Sequence, residues 1–299
     1  MAALTTGSLT IPTQLLDPWV NNIHKGSTIS QLSGSIPMKF GAGESFVFDS
    51  GEAEYVGEGA NKSSNDVTKT TQTVEPHKFQ KTIRFTEEVK WADEDHQLGV
   101  IQEILSQIQP ALSRALDYGV IHGINPKTGA VVGAMSQKLT SAATSVELAA
   151  ADAPYVSVDA AVAALLAADG VPNGIAIDPK FAAKISGQRI TGTGQKLYPD
   201  FTFANETSTF ESLRAATSKT VGATGVLAVD TKLRAIVGDF SAVRWGVQKA
   251  IGLELIEFGD PDGNGDLKRN NQIAFRAEVV YGWGIAEIDR NFAKIVDLV

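Results

Sequence analysis

The chain has 299 residues, 43% hydrophobic and 20% charged, an ordinary globular composition able to bury a normal core without covalent staples. It has no cysteine, which excludes disulfides, thiolate metal centres, iron–sulfur clusters and cysteine nucleophiles together. Its 26 basic and 34 acidic residues leave a net charge of −8, and the basic ones form no run longer than Lys268-Arg269; this argues against a base-reading nucleic-acid binder but leaves weak contact with DNA open.

The first residues, MAALTTGSLTIPTQLL, lack a basic stretch followed by an apolar one, so no signal peptide is expected. The longest apolar run, Ala160 to Ala168, is far short of a membrane span. A soluble chain made inside the cell, with no membrane partner, is the expectation. Leu15, Leu16, Trp19, Val20 and Ile23 have helical spacing, and Pro12 suits a first turn. Gly26 to Gly43 is rich in Gly, Ser and Thr and reads as an extended arm.

Ser45 to Asp49 reads as a short strand, and Phe79, Ile83 and Phe85 alternate with polar residues as in a half-buried strand. Between them, Ser50 to Pro76 has few large apolar residues and cannot fill a core. Two strands flanking such a stretch predict a long projecting β-hairpin with a functional tip. Asp93 to His122 is the strongest helix, with one stripe from Val100 through Ile104, Ile108 and Leu112 to Val120. Asp93, Glu94 and Asp95 favour its start, Gly123 and Pro126 its end, and Pro110 is expected to kink or split it.

From Ala130 the texture turns to Ala, Gly, Thr and Val. A helix is expected over Ser157 to Asp169, closed by Gly170, then a buried strand over Gly174 to Ile177 and a helix capped by Asp178 running to Ile185. Val226 to Asp230, Ala235 to Gly238 and Leu253 to Phe258 read as strands. The last pairs across Gly259 to Leu267 with a strand over Asn271 to Trp283. The fold class is α+β.

The search for chemistry returns little. The four histidines (His24, His77, His96 and His122) are dispersed, with no HExxH; there is no GxSxG or SxxK, and no glycine pair completes GxGxxG or a phosphate-binding loop. No cofactor is expected. Asp260, Asp262, Asn264 and Asp266 sit at alternate positions with Gly265 sixth, as in calcium loops, but the twelfth position is Asn271 instead of glutamate and the flanks read as strands, which favours a polar hairpin tip.

Ala53 to Thr68 (AEYVGEGANKSSNDVT), with Tyr55, Val56, Glu58, Gly59 and Lys62, resembles the extended-loop signature of tailed-phage major capsid proteins of the Hong Kong 97 fold. Leu112 to Gly123 resembles the end of that family's spine helix, and Val237 to Glu257 with Asn270 to Val296 its closing sheet. The resemblance implies an amino-terminal arm (1–43), an extended loop with its flanking strands (44–86), a spine helix (87–129), an axial domain (130–233) and a peripheral-domain sheet with the carboxy-terminal segment (234–299). It implies a non-enzymatic shell protein of the virion, made in the host cytoplasm and associating with itself as hexamers and pentamers. Expected partners are a separate scaffold protein, a portal protein, packaged double-stranded DNA held by weak non-specific contact, and a decoration protein.

Some members join subunits by an isopeptide bond: a loop lysine attacks an asparagine carboxamide and a glutamate accepts protons. The matching positions here are Lys62, Asn271 and Glu278. Seven residues apart on one strand, Asn271 and Glu278 would face opposite sides about 24 Å apart, so such a site would have to span subunits. Three other readings stay open. They are an encapsulin-type cellular shell, an enzyme with a carboxylate-only site, and a calcium-dependent adhesion or tail protein resting on the Asp260 loop.

Overall fold

The computed structural model describes residues 26–49, 53–59, 61, 62, 64, 68–88, 94–148, 153–201 and 208–297. The helix expected over Pro12 to Ile23 and the Asp93 cap lie outside the described residues. In chain order the elements are α1 (Thr28–Leu32), β1 (Gly43–Asp49), β2 (Thr68–Thr86), α2 (Glu94–Asp117) continued by a π turn (Tyr118–His122), β3 (Ser145–Glu147), α3 (Pro154–Ala167), β4 (Gly174–Ile177), α4 (Pro179–Ser186), β5 (Ser208–Phe210), β6 (Leu213–Thr217), β7 (Leu233–Gly238), β8 (Val243–Ile256), β9 (Gln272–Ile285), α5 (Ile288–Asn291) and β10 (Phe292–Val296).

They form two sheets. The first, in order β1-β2-β9-β8, is antiparallel throughout, and the second has the order β3-β10-β7-β4-β6-β5. The inner face of the first sheet packs on α2: Phe79, Phe275, Val279, Tyr281 and Trp283 meet Ile104, Ile108, Leu112 and Leu116 in one cluster. The hydroxyl of Tyr281 donates to the carbonyl of Leu112 at 3.2 Å, so the buried ring loses no hydrogen bond where helix and sheet meet. The second sheet divides its side chains by parity. Ile175 and Ile177 of β4, with Ala235 and Val237 of β7, face α3 and α4, while Ala176 and Ile236 face the larger cluster.

Several expectations are corrected. Helix α2 is not split at Pro110 but runs through it. Pro110 is exposed, so the turn it disturbs lies away from the face packed on the sheet. The helix does end at Gly123, left-handed at φ 65°. The arm over Gly26 to Gly43 is not wholly extended. Ser27 caps α1 by accepting from the amide of Ser30, and α1 buries Ile29 and Leu32.

Strand β2 is much longer than the stretch around Phe79, and β8 begins ten residues before Leu253. Register shifts between Val247 and Lys249 and between Ile251 and Glu254 break the period-two pattern that would have shown it. Val226 to Asp230 is not a strand: Ala223 and Gly225 take positive φ, the chain turns on itself, and Val229 is left exposed.

Candidate assembly surface

The hairpin grows out of the first sheet through one strand. Residues Glu75 to Thr86 of β2 pair with β9, and residues Thr68 to Val74 pair with β1. The neighbour changes between Val74 and Glu75, and Pro76, with no N–H to give, stands just past that change. Val74 is buried at the root, whereas Tyr55 at the far end is 92% exposed and Glu54, Glu58 and Lys62 are exposed too. Among the described residues this tip has no core of its own, so its aromatic and its charges are presented outward.

The arm is fastened across the other edge of the same sheet. The amide of Ile36 donates to the carbonyl of Trp245 at 2.9 Å. Gln248 sits at the first bulge of β8, and its carboxamide accepts from the amide of Gly41 at 3.1 Å and donates to its carbonyl at 3.0 Å. Gly246 and Gly282 face each other in the β8–β9 register, and the missing side chains open the track in which Ile36 and Met38 lie. Further back, the carboxylate of Asp117, at the end of α2, holds the start of α1. It accepts from Ser27 Oγ, from the amides of Thr28 and Ile29 at 3.0 and 3.2 Å, and from the hydroxyls of Thr28 and Thr220 at 2.8 and 2.6 Å.

The three cross-link positions do not meet within one chain. Lys62 lies beyond the Thr68 end of β2, and Asn271 lies beside its Thr86 end. With 19 residues at about 3.3 Å each, β2 separates those ends by roughly 60 Å. Asn271 turns the chain into β9 in the left-handed region at φ 54°, a conformation asparagine tolerates well, and its carbonyl accepts from the amide of Glu87 at 2.9 Å. Glu278 is 7% exposed on β9, and its carboxylate is paired with Lys78 Nζ at 2.6 Å. Lys78, two positions from the Gln80 that faces Glu278 across the ladder, is the partner that sequence reasoning missed. The i, j±2 diagonal was its signal once the register was known.

In the Asp260 loop the guanidinium of Arg84 stands among the acidic groups. It pairs with Asp262, with Asp260 at 2.9 Å, and with the carbonyl of Gly265 at 2.9 Å. The amides of Gly263 and Gly265 close on Asp260 at 2.8 and 3.0 Å, and Asn264 donates to Asp262 at 3.0 Å. Asp266 accepts from the amide of Arg269 at 2.9 Å. The Arg84 guanidinium beside Asp262 holds that carboxyl well below the usual carboxylate range. Arg84 reaches the loop from β2, so the sequence spacing alone gave no hint of it.

Residues 7–290 match the family model described as Phage capsid family. A solved structure from Mycobacterium phage Ogopogo is 44% identical, covering 91% of this chain and 92% of its own, with a TM-score of 0.78. One from Gordonia phage Cozz is 30% identical, covering 91% and 87%, with a TM-score of 0.74. The capsid of a native GTA particle, at 14% identity, 92% and 91% coverage and a TM-score of 0.56, shares the fold. No curated protein matches. Spine helix, hairpin, strapped arm and two sheets make up a Hong Kong 97-type fold, and with nearly the whole chain matched, the protein belongs to the phage capsid family.

Proposed function

We propose that this chain is the major capsid protein that assembles, as hexamers and pentamers, into the icosahedral shell enclosing the double-stranded DNA of a tailed phage. The observation that carries the reading is the hairpin: a two-stranded element whose described residues show an exposed tip and no core of its own gains little by folding unless a neighbouring subunit covers it. In this reading residues 1–43 are the arm, 44–86 the extended loop, 87–129 the spine, 130–233 the axial domain and 234–299 the peripheral sheet and carboxy-terminal segment. A separate scaffold protein, a portal and a decoration protein complete the particle, which is made in the host cytoplasm.

The test is electron microscopy of the purified chain with a nuclease-protection assay on the particles. Closed shells protecting DNA support the reading. Shells filled with a cargo enzyme and no genome would make the protein an encapsulin-type compartment instead, and a monodisperse monomer under all assembly conditions would refute a shell.

The same reading includes an isopeptide bond from Lys62 of one copy to Asn271 of another, with release of ammonia and a carboxylate as base. The separation along β2 supports a link between copies over one within a chain. For Glu278 to serve as that base, Lys78 must first leave it. Boiled particles on a denaturing gel decide the matter: a ladder that collapses to the 31.7 kDa band in Lys62→Ala supports the bond, and a single band from intact wild-type shells removes it.

A further inference from the structure

Strands β2 and β9 part at a defined residue pair. Their register runs in single steps as far as Pro76 against Gly282 and Glu75 against Trp283. Carried on by two residues, it would set Val74 against Gly284 and Thr73 against Ile285, but the ladder ends before reaching them. The carboxamide of Gln137 stands at that place. It accepts from the amide of Ile285 at 2.8 Å and donates to the carbonyl of Thr73 at 2.9 Å. One partner is a donor and the other an acceptor, which fixes the way round the carboxamide lies. The backbone of Gln137 is tied down. Met135 and Leu139, on either side of it, are buried in the core between α2 and the first sheet. Its carbonyl accepts from the indole of Trp283 at 3.1 Å. That indole lies against His77, with ring centroids 4.1 Å apart, and against Gly119 of the π turn, where a Cβ would overlap it. Only the half-buried side chain of Gln137 has room to swing away.

Strands bridged by a side chain stand farther apart than strands bonded directly, by the width of the carboxamide and one more hydrogen bond. We infer that Gln137 is a wedge that sets the direction in which the hairpin leaves the sheet. With its carboxamide in place the fork opens at Glu75. With the carboxamide withdrawn, β2 and β9 close by two further residues, to Thr73 against Ile285, and the exposed tip is turned. The register permits this closure, because Thr73 and Ile285 fall on the same face as His77 and Trp283. The other edges are already paired: β2 with β1 at Thr73 and Val74, and β9 with β8 as far as Ile285. The closing stretch therefore carries the hairpin with it. The amide of Ile285 and the carbonyl of Thr73 exchange one partner for another, and the released carboxamide bonds to water. Two positions with the same backbone bonds differ little in free energy, so a contact at the tip is enough to choose between them. The inference concerns one chain and does not rest on the shell reading.

The chain has no cysteine, so a pair introduced at Thr73→Cys and Ile285→Cys reports on the fork alone. Directly paired strand residues have Cα atoms about 5.5 Å apart, within the roughly 7 Å that a disulfide spans, whereas the inserted carboxamide holds them farther off. The experiment is disulfide formation in a glutathione buffer, in the full chain with Gln137 and with Gln137→Ala. The expected result is a disulfide formed about tenfold more readily in Gln137→Ala. Gln137→Glu, whose carboxylate accepts from the Ile285 amide but repels the Thr73 carbonyl, should form no more disulfide than the chain with Gln137. In chains without the cysteines, hydrogen exchange at the Ile285 amide should stay slow in Gln137→Ala, because the Thr73 carbonyl takes over as acceptor. A disulfide yield in Gln137→Ala equal to or below that with Gln137, the same rise in Gln137→Glu, or fast exchange at Ile285 in Gln137→Ala would each overturn the inference. So would fast exchange at Val279 in the middle of the ladder, which would make Gln137 a brace of the whole sheet. None of these measurements needs an assembled shell, so their failure and a failure to assemble are separate results.

Discussion

One carboxylate oxygen of Asp117, Oδ2, accepts both the backbone amide and the side-chain hydroxyl of Thr28, at 3.0 and 2.8 Å, in a site with no solvent contact on Asp117. The two residues are 89 positions apart, so this acceptor fixes where the arm crosses the end of the spine helix. Asp117→Ala leaves buried donors of Ser27, Thr28, Ile29 and Thr220 with nothing to bond, and is expected to cost about 3 kcal/mol or more. Urea unfolding checks the magnitude, and hydrogen exchange at the Thr28 and Ile29 amides checks the cause. Thr220→Val, which removes one donor and keeps the shape, is expected to cost about 1 kcal/mol. Unchanged exchange at Thr28 in Asp117→Ala would show that the arm is held by other means.

Gly246→Ala is expected to destabilise by about 1–3 kcal/mol, because a Cβ there overlaps the carbonyl oxygen of Ile36 and crowds Met38. The same Cβ on a strand that nothing crossed would be nearly neutral. Loss of protection at the Ile36 amide, with the β8–β9 ladder still protected, is the signature to look for.

Stability is expected to fall on acidification through the histidine range. Burial pushes the His122 imidazole below its ordinary 6.5, outweighing its hydrogen bonds to the carbonyls of Thr220 and Val221 and the nearby Asp117; Lys138 adds to the lowering. Burial also lowers His77, against the opposing charge of Glu75. A depressed base binds its proton more readily in the unfolded chain, so the contribution is complete above 6.5 and is lost as pH drops below it. His122→Gln, which keeps a donor toward the two carbonyls, should flatten the slope of unfolding free energy between about pH 7.5 and about pH 5.5. An unchanged slope would assign the effect elsewhere.

Arg84→Ala is expected to return Asp262 toward the ordinary carboxylate range and to loosen the amides of Gly263 and Gly265, seen by carboxyl titration and by hydrogen exchange. With the guanidinium in place, calcium and chelators should leave Tm unchanged. With it removed, the acidic oxygens face one another, and calcium should raise Tm. Calcium-dependent stability in the wild-type chain would show that Arg84 is displaced by the ion.

Legibility in the sequence followed how locally each feature was determined. The buried strand Gly174–Ile177, the Asp178 cap and the Gly123 stop were readable because the residues causing them are adjacent to the elements they shape. Strand β2 was read short because its first half is threonine-rich, without apolar alternation, and Pro76 looked like a breaker; its continuity comes from pairing with β1 and β9. The apolar run at Val226 to Asp230 looked like a strand, but positive φ at Ala223 and Gly225 reverses the chain, which a hydrophobic pattern does not record. Of the candidate site residues, Asn271 and Glu278 were placed correctly near and on one strand. Their companions Glu87 and Lys78, and the Arg84 of the Asp260 loop, are set by register across β2.

That one strand carries both the hairpin and the sheet has a mechanical meaning. A pull on the tip along the axis of β2 loads every rung of the β2–β9 ladder, from Glu75 to Thr86, at once and in shear. The rungs cannot open one after another as they would under a sideways peel, since β1 shares only the distal half and offers no separate point of failure. Tension between neighbouring copies is therefore delivered to the twelve-rung ladder packed on α2, and not to the point between Val74 and Glu75 where the strand changes partner.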